Sequence, residues 1–132
     1  MTGDSVETLA RQRFVALTTF KRNGEGVSTA MWIGRDGTHL FVWTHADSWK
    51  VKRVGNDPRV SLAPSSRTGK VRDGVLPVSG SAEVVADPGT VKVLEGVIRR
   101  KYGMEYRIVT TIERLVARGR KQRVILRIAL AD

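Results

Sequence analysis

Apolar residues recur along this chain with two different periods, and the changes of period divide it into elements. Residues 14–21, 27–34 and 38–44 are rich in β-branched and aromatic types and alternate in polarity, as half-buried strands do. Arg22-Asn23-Gly24-Glu25-Gly26 separates the first two as a glycine-rich hairpin turn, and Arg35-Asp36-Gly37 separates the second from the third. The pattern predicts an opening meander of three strands. Residues 59–63 form a fourth strand and 77–86 a fifth, in which Gly80 marks a bulge or a close backbone approach. Residues 121–130 close the series, with Val124, Leu126, Ile128 and Leu130 on one side.

Helical spacing appears in four places. Residues 4–12 carry Val6, Leu9 and Ala10 on one face. A helix of about two turns opens at Asp47 or Ser48 and ends near Gly55-Asn56, where Pro58 forces an extended exit. Asp87-Pro88 supplies an N-cap and a first-turn proline for a helix that presents Val91, Leu94, Val97, Ile98 and Tyr102 and stops at Gly103. A helix over 105–118 follows, and its apolar face of Ile108, Ile112, Leu115 and Val116 is expected to point inward. Six or so strands with these helices describe a mainly β protein with α decoration: a small antiparallel barrel forming a single domain over residues 1–132.

Composition narrows the chemistry. With no cysteine, disulfides, thiolate catalysis and Cys-ligated metal centres are excluded. Two histidines, His39 and His45, are too few for a histidine-rich metal site. The N-terminal residues hold acids and no apolar leader, and no window approaches the ~18 apolar residues of a membrane span. The expected protein is cytoplasmic, with no membrane partner. Lys and Arg outnumber Asp and Glu by 23 to 13, and a net charge of +10 favours an anionic partner. There is no nucleophile elbow, Walker loop or GxGxxG fingerprint. An enzyme built this way would draw its bond-making power from a cofactor.

The segment that could hold one runs from Trp43 to Pro64. Ser48, Lys50, Lys52 and Arg53 set a hydroxyl and three cations on a short helix, beside free backbone N–H groups that favour an anion. Spacing alone favours the plainer reading, a solvated helix with Val51 and Val54 turned to the core. Residues 17–24, Val27-Ser28-Thr29-Ala30-Met31-Trp32, Trp43-Thr44, Ser48 to Arg53 and residues 57–62 together resemble, in order and spacing, the pyridoxamine 5'-phosphate oxidase-like split β-barrel proteins. The likeness is to the short actinobacterial branch that uses coenzyme F420.

The resemblance implies a split β-barrel of the FMN-binding type and a homodimer with its cofactor sites between subunits. It implies that Ser48, Lys50, Lys52 and Arg53 grip the cofactor phosphate. Ser28, Thr29, Ala30 and Met31 would run along the tricyclic ring, and Trp43 and Thr44 would flank the ring or ribityl chain. Trp32, Trp49 and the outward face of residues 123–130 are the expected subunit contacts. The implied activity is hydride transfer between reduced F420, or in the alternative FMN, and an electron-poor conjugated small molecule, with residues 65–76 and the C-terminus shaping the substrate pocket. Two other readings compete: a non-catalytic flavin, F420 or haem carrier on the same fold, and a helix-turn-helix over residues 88–118 binding nucleic acid through Arg99, Arg100, Lys101, Arg107, Arg114 and Arg118. A β-rich first half and an aromatic content of 6% argue against nucleic acid.

Overall fold

A computed structural model describes residues 2–117 and 122–131. The order is α1 (Thr2–Ala10), β1 (Val15–Phe20), β2 (Gly26–Met31), β3 (Gly34–Asp36), β4 (His39–His45), α2 (Trp49–Asn56), β5 (Arg59–Pro64), β6 (Val78–Val85), α3 (Pro88–Tyr102), α4 (Met104–Ala117) and β7 (Arg123–Leu130). The strands form one antiparallel sheet in the order β2-β1-β5-β6-β7-β4-β3. Its two edges, β2 and β3, are consecutive in the chain with only Trp32 and Ile33 between them. Three residue steps of about 3.6 Å cannot bridge a flat sheet, so the sheet curls until its edges nearly meet. The result is a split β-barrel.

The three-strand meander is corrected by this register. β2 pairs with β1, whereas β4 lies between β7 and β3. The predicted strand 27–34 breaks because Ile33 drops into the barrel core, fully buried, while Trp32 turns outward to stack on Tyr102 at 4.5 Å. Gly34 then resumes as β3, where an added Cβ would come within 2.4 Å of the Phe41 ring. At Gly80 the sequence allowed a bulge or a close approach, and the structure has the second: a Cβ there would lie 2.8 Å from the Ala129 carbonyl, in an unbroken ladder.

Strand alternation sorts the apolar residues into two cores. Val15 and Leu17 of β1, Leu40 and Val42 of β4, and Leu126 and Ile128 of β7 fill the barrel, joined by Val6 and Leu9 of α1 and Val54 of α2. On the outer face, Phe41, Trp43 and Ile125 pack under Leu94, Ile98 and Tyr102 of α3 and Tyr106 of α4. Full burial of each large aliphatic side chain contributes about 1.5–3 kcal/mol.

The Lys101-Tyr102 pair fastens α3 to the barrel. Lys101 Nζ donates to the carbonyls of Ala10, Gln12 and Ile33 at 2.9, 2.6 and 2.8 Å. Tyr102 Oη donates to the Arg13 carbonyl at 2.8 Å and accepts from Ile33 N–H at 2.9 Å. Lys101 is thereby engaged inside the fold and unavailable to a phosphate backbone.

α4 reverses the expectation for its apolar face. Ile108, Ile112, Leu115 and Val116 point to solvent, the last two more than 70% exposed, and Met104 joins them. The inward face is polar: Tyr106 donates to Glu95, while Glu113 accepts from Arg123 and stands 3.0 Å from His45 Nε2. Arg118, named with this helix, lies outside the described residues.

Candidate cofactor and anion site

α2 begins where β4 ends, and Val54 anchors it in the barrel core with Val51 packed alongside. This fixes the helix's rotation and so distributes its polar residues. Trp49, Lys52, Arg53 and Asn56, spaced i, i+3, i+4 and i+7, share one face. Together with Phe20, Lys21 and Arg22 from the end of β1 and its hairpin, they line a groove of about 830 Å³. Lys52 Nζ lies 4.4 Å above the Trp49 ring, and Arg53 Nη1 reaches the buried Thr19 hydroxyl at 3.5 Å. Among the described residues no carboxylate lines the groove. The nearest acid along the chain, Asp57, is held by Arg59 at 2.7 Å, and that hydrogen bond keeps its pKa below the ordinary value.

Ser48 and Lys50 lie elsewhere on the same turn. Ser48 occupies the N-cap with extended backbone, yet its hydroxyl makes no cap hydrogen bond. Its Oγ is buried without a partner. Lys50 is half-buried, and its pKa is lowered first by that burial and then by Arg53. An anion at the start of α2 would satisfy the hydroxyl, stabilise the ammonium and meet the unbonded N–H groups of the first turn. By this test of an unsatisfied buried polar atom, the residues fit a phosphate. Of the four expected grip residues, Lys52 and Arg53 line the groove, Ser48 sits at the N-cap, and Lys50 lies outside the groove but near enough to Arg53 to feel its charge.

The ring-side residues divide as well. Trp43 and Thr44 are adjacent on β4 and point to opposite faces of the sheet. Trp43 faces the α3 layer, with the Arg123 guanidinium 3.7 Å from its ring centre and Tyr106 at 5.6 Å. Its indole N–H is buried without a hydrogen-bond partner. Thr44 is buried on the side of Leu40 and Val42. Burial lowers the pKa of Arg123, an effect that Glu113 opposes. On edge strand β2, Met31 packs against the barrel core and Thr29 shares its parity, while Ser28 and Ala30 take the other face. The loop after β5 closes over that outer face, since a Cβ on Gly69 would sit 3.5 Å from the Ala30 nitrogen. The same loop lines a separate cavity of about 660 Å³ with Gln12, Ser65, Lys70 and Arg72.

Sequence reasoning did not assign Phe20, Arg22 and Asn56 to a site and took Trp49 for a subunit contact. The i, i+3, i+4, i+7 spacing of Trp49, Lys52, Arg53 and Asn56 was the available signal. Among the described residues no cluster of His, Asp or Glu could hold a metal, and no helix is long and apolar enough to cross a membrane.

A split barrel with a basic helix at its mouth defines a class of cofactor-binding proteins. The sequence profile of pyridoxamine 5'-phosphate oxidase matches residues 1–132, and the chain belongs to that family. No curated protein matches significantly. Among solved structures, conserved hypothetical protein Rv2991 from Mycobacterium tuberculosis is 24% identical, with 98% of this chain and 79% of that one covered at a TM-score of 0.70. A protein described as an F420 reductase is 20% identical, with 96% and 93% covered and a TM-score of 0.62. The haem storage protein HutZ from Vibrio cholerae is 13% identical, with 98% and 89% covered and a TM-score of 0.65. At these identities the likeness is one of fold. The family includes oxidoreductases, and the fold also serves proteins that store haem.

Proposed function

We propose that this protein is a cytoplasmic F420-dependent reductase, working as a single-domain homodimer. The observation that carries the reading is the buried, unsatisfied Ser48 hydroxyl at the N-cap of α2, on a first turn that also carries the half-buried Lys50 ammonium, a helix start that an anion would complete. Bound reduced F420 would supply a hydride to an electron-poor conjugated acceptor such as an enone or quinone. The chain's own contribution is position: Ser48 and Lys50 hold the phosphate, and Lys52 and Arg53 add positive charge on the next face. Strand residues 28–31 offer backbone and hydroxyl groups along the ring, and the buried Trp43 and Thr44 keep water from that end of β4. The surplus of ten positive charges suits a cofactor that carries a phosphodiester and glutamates better than it suits FMN. Two lines beyond the site support the reading, the family and the F420 reductase of the same fold.

A second copy of this chain is the partner the reading needs, and α4 provides a surface for it. Met104, Ile108, Ile112 and Leu115 form an exposed apolar stripe that the face of a second copy would remove from water. The expected contact through residues 123–130 is narrower than the strand, because Ile125 is covered by α3 and Arg127 reaches Asp36 and Glu83.

The test is absorbance and equilibrium dialysis with F420 and, separately, FMN, followed by turnover of reduced F420 with a panel of enones and quinones. Tighter binding of F420, weakened about tenfold or more by Lys50→Ala, together with acceptor-dependent oxidation, is the expected result. Tighter FMN binding would overturn the choice of cofactor. Tight F420 binding without turnover would make the protein a carrier.

A further inference from the structure

We infer that the cavity between α3 and the paired ends of β6 and β7 is a binding site for a small dicarboxylate, an anion with a carboxylate at each end of a short hydrocarbon chain. The cavity has a volume of about 700 Å³, within the range of small-molecule pockets. It shares no residue with α2 or with the ring-side strand β2, and its chemistry does not depend on which cofactor the protein uses. Its lining is of two kinds. Ala86, Pro88, Val91 and Val93 give apolar surface, whereas Lys92, Arg99, Arg100 and Arg123 give positive charge. Val93 is 67% exposed, which leaves apolar area for a hydrocarbon to cover.

The arginines converge on one point. Arg99 and Arg100 are neighbours in sequence and leave α3 about 100° apart, yet both guanidinium groups fold back over Gly96. A Cβ built on that glycine would lie 3.5 Å from Arg100 Nη1 and 3.9 Å from Arg99 Nη2. Glu95 stands four residues before Arg99, the spacing at which helical ion pairs form. It is turned instead to accept from the Tyr106 hydroxyl, and its charge acts on Arg123. Among the described residues no carboxylate forms an ion pair with Lys92, Arg99 or Arg100. Like charges gathered this closely repel one another, and an anion would relieve that repulsion. A carboxylate is the natural counterpart, because the planar guanidinium fork matches its two oxygens.

The spacing of the cations sets the ligand's length. Lys92 and Arg99 are seven residues apart, which places them about 10 Å from each other along one face of α3. Two carboxylates on a six-carbon chain suit that separation better than one carboxylate does. The hydrocarbon middle would meet Val91, Val93 and the backbone of Gly96, and Gln122 adds an amide that can donate at the rim. The run Arg99-Arg100-Lys101, one basic cluster in the sequence, is thereby divided by the fold. Lys101 is fastened to three carbonyls inside the molecule, and the two exposed arginines are left for a ligand.

The experiment is calorimetric titration of the full chain with adipate. Hexanoate, which has the same chain length and one carboxylate, and succinate, which has two on a shorter chain, are the controls. Adipate is expected to saturate a single site per chain at physiological salt, and each control to bind at least about tenfold more weakly. Arg99→Ala and Arg100→Ala should each weaken adipate about tenfold, with the urea midpoint unchanged because both side chains are exposed. Lys92→Ala should abolish the preference for adipate over hexanoate, since the second carboxylate then loses its cation. Arg107→Ala, which removes an equal charge from the exposed surface of α4, should leave adipate affinity unchanged. Hexanoate binding the unaltered chain as tightly as adipate would overturn the inference. Equal losses from Arg107→Ala and Arg99→Ala, or no saturable adipate binding, would do the same.

Discussion

α3 and α4 are consecutive helices of similar length, each with an apolar stripe, and the molecule uses them in opposite ways. α3 lays its stripe onto β4 and β7, burying Leu94, Ile98 and Tyr102. α4 turns its stripe outward and docks through polar groups, Tyr106 to Glu95 and Glu113 to Arg123 and His45. An apolar face thus says that a helix has something to bury and leaves open whether the surface that covers it belongs to the same chain. On α3 that surface is the sheet; on α4 we assign it to a second copy.

The largest effect should come from the covered helix. Ile98→Ala is expected to cost about 2–5 kcal/mol in urea unfolding, since the side chain is fully buried, whereas Ile112→Ala should change monomer stability by less than about 0.5 kcal/mol. Equal costs would erase the distinction between the helices. Ile112→Glu sharpens it from the other side: sedimentation should show the dimer dissociation constant raised about a hundredfold, with monomer stability nearly unchanged. A dimer indifferent to this change must be built elsewhere. Next in size is Glu113→Ala, which removes the carboxylate hydrogen-bonded to the Arg123 guanidinium over Trp43 and leaves Glu95 as the acid nearby. A loss of about 1–3 kcal/mol is expected, visible in near-ultraviolet circular dichroism of Trp43, and no loss would mean that α4 is not held by this contact.

The smallest effect is a slope with pH. Burial, with Arg13 beside it, pushes the Lys101 ammonium down to about 8, below its value in an unfolded chain. Between pH 8 and 10 the unfolded chain therefore binds more protons at this site, and stability should rise with pH. Above pH 10 Tyr102, pushed up to about 12 mainly by burial, acts in the opposite sense, because the unfolded chain loses the phenolic proton first. Lys101→Met should flatten the rise between pH 8 and 10 in urea titrations; an unaltered slope would assign it to other groups.

Much of the fold was legible from local chemistry. The alternation of Val124, Leu126, Ile128 and Leu130 fixed the inward face of β7, and Asp87-Pro88 and Gly103 bounded α3; Asp87 indeed accepts from Thr90 N–H. Pairing order was not legible, because β2 and β3 are separated by a turn of the sheet that shows in the chain only as Trp32-Ile33-Gly34, three residues that break the alternation. The basic residues of α2 were legible as a cluster, yet their division depended on the helix's rotation, set by Val54 against the barrel. Trp43 and Thr44 were named together, although adjacency on a strand places them on opposite sides.

The place of β7 in the sheet has a consequence for how the protein is made. It lies between β6 and β4, and it follows every other strand in the chain. A nascent polypeptide grown only through α4 holds two separate sheet fragments, β2-β1-β5-β6 and β4-β3, each with an unpaired edge where β7 will insert. Such edges invite pairing with neighbouring chains, and contacts this distant in sequence form slowly. On the ribosome the two fragments must wait for one late strand, which makes the interval before its release the moment of greatest exposure to aggregation.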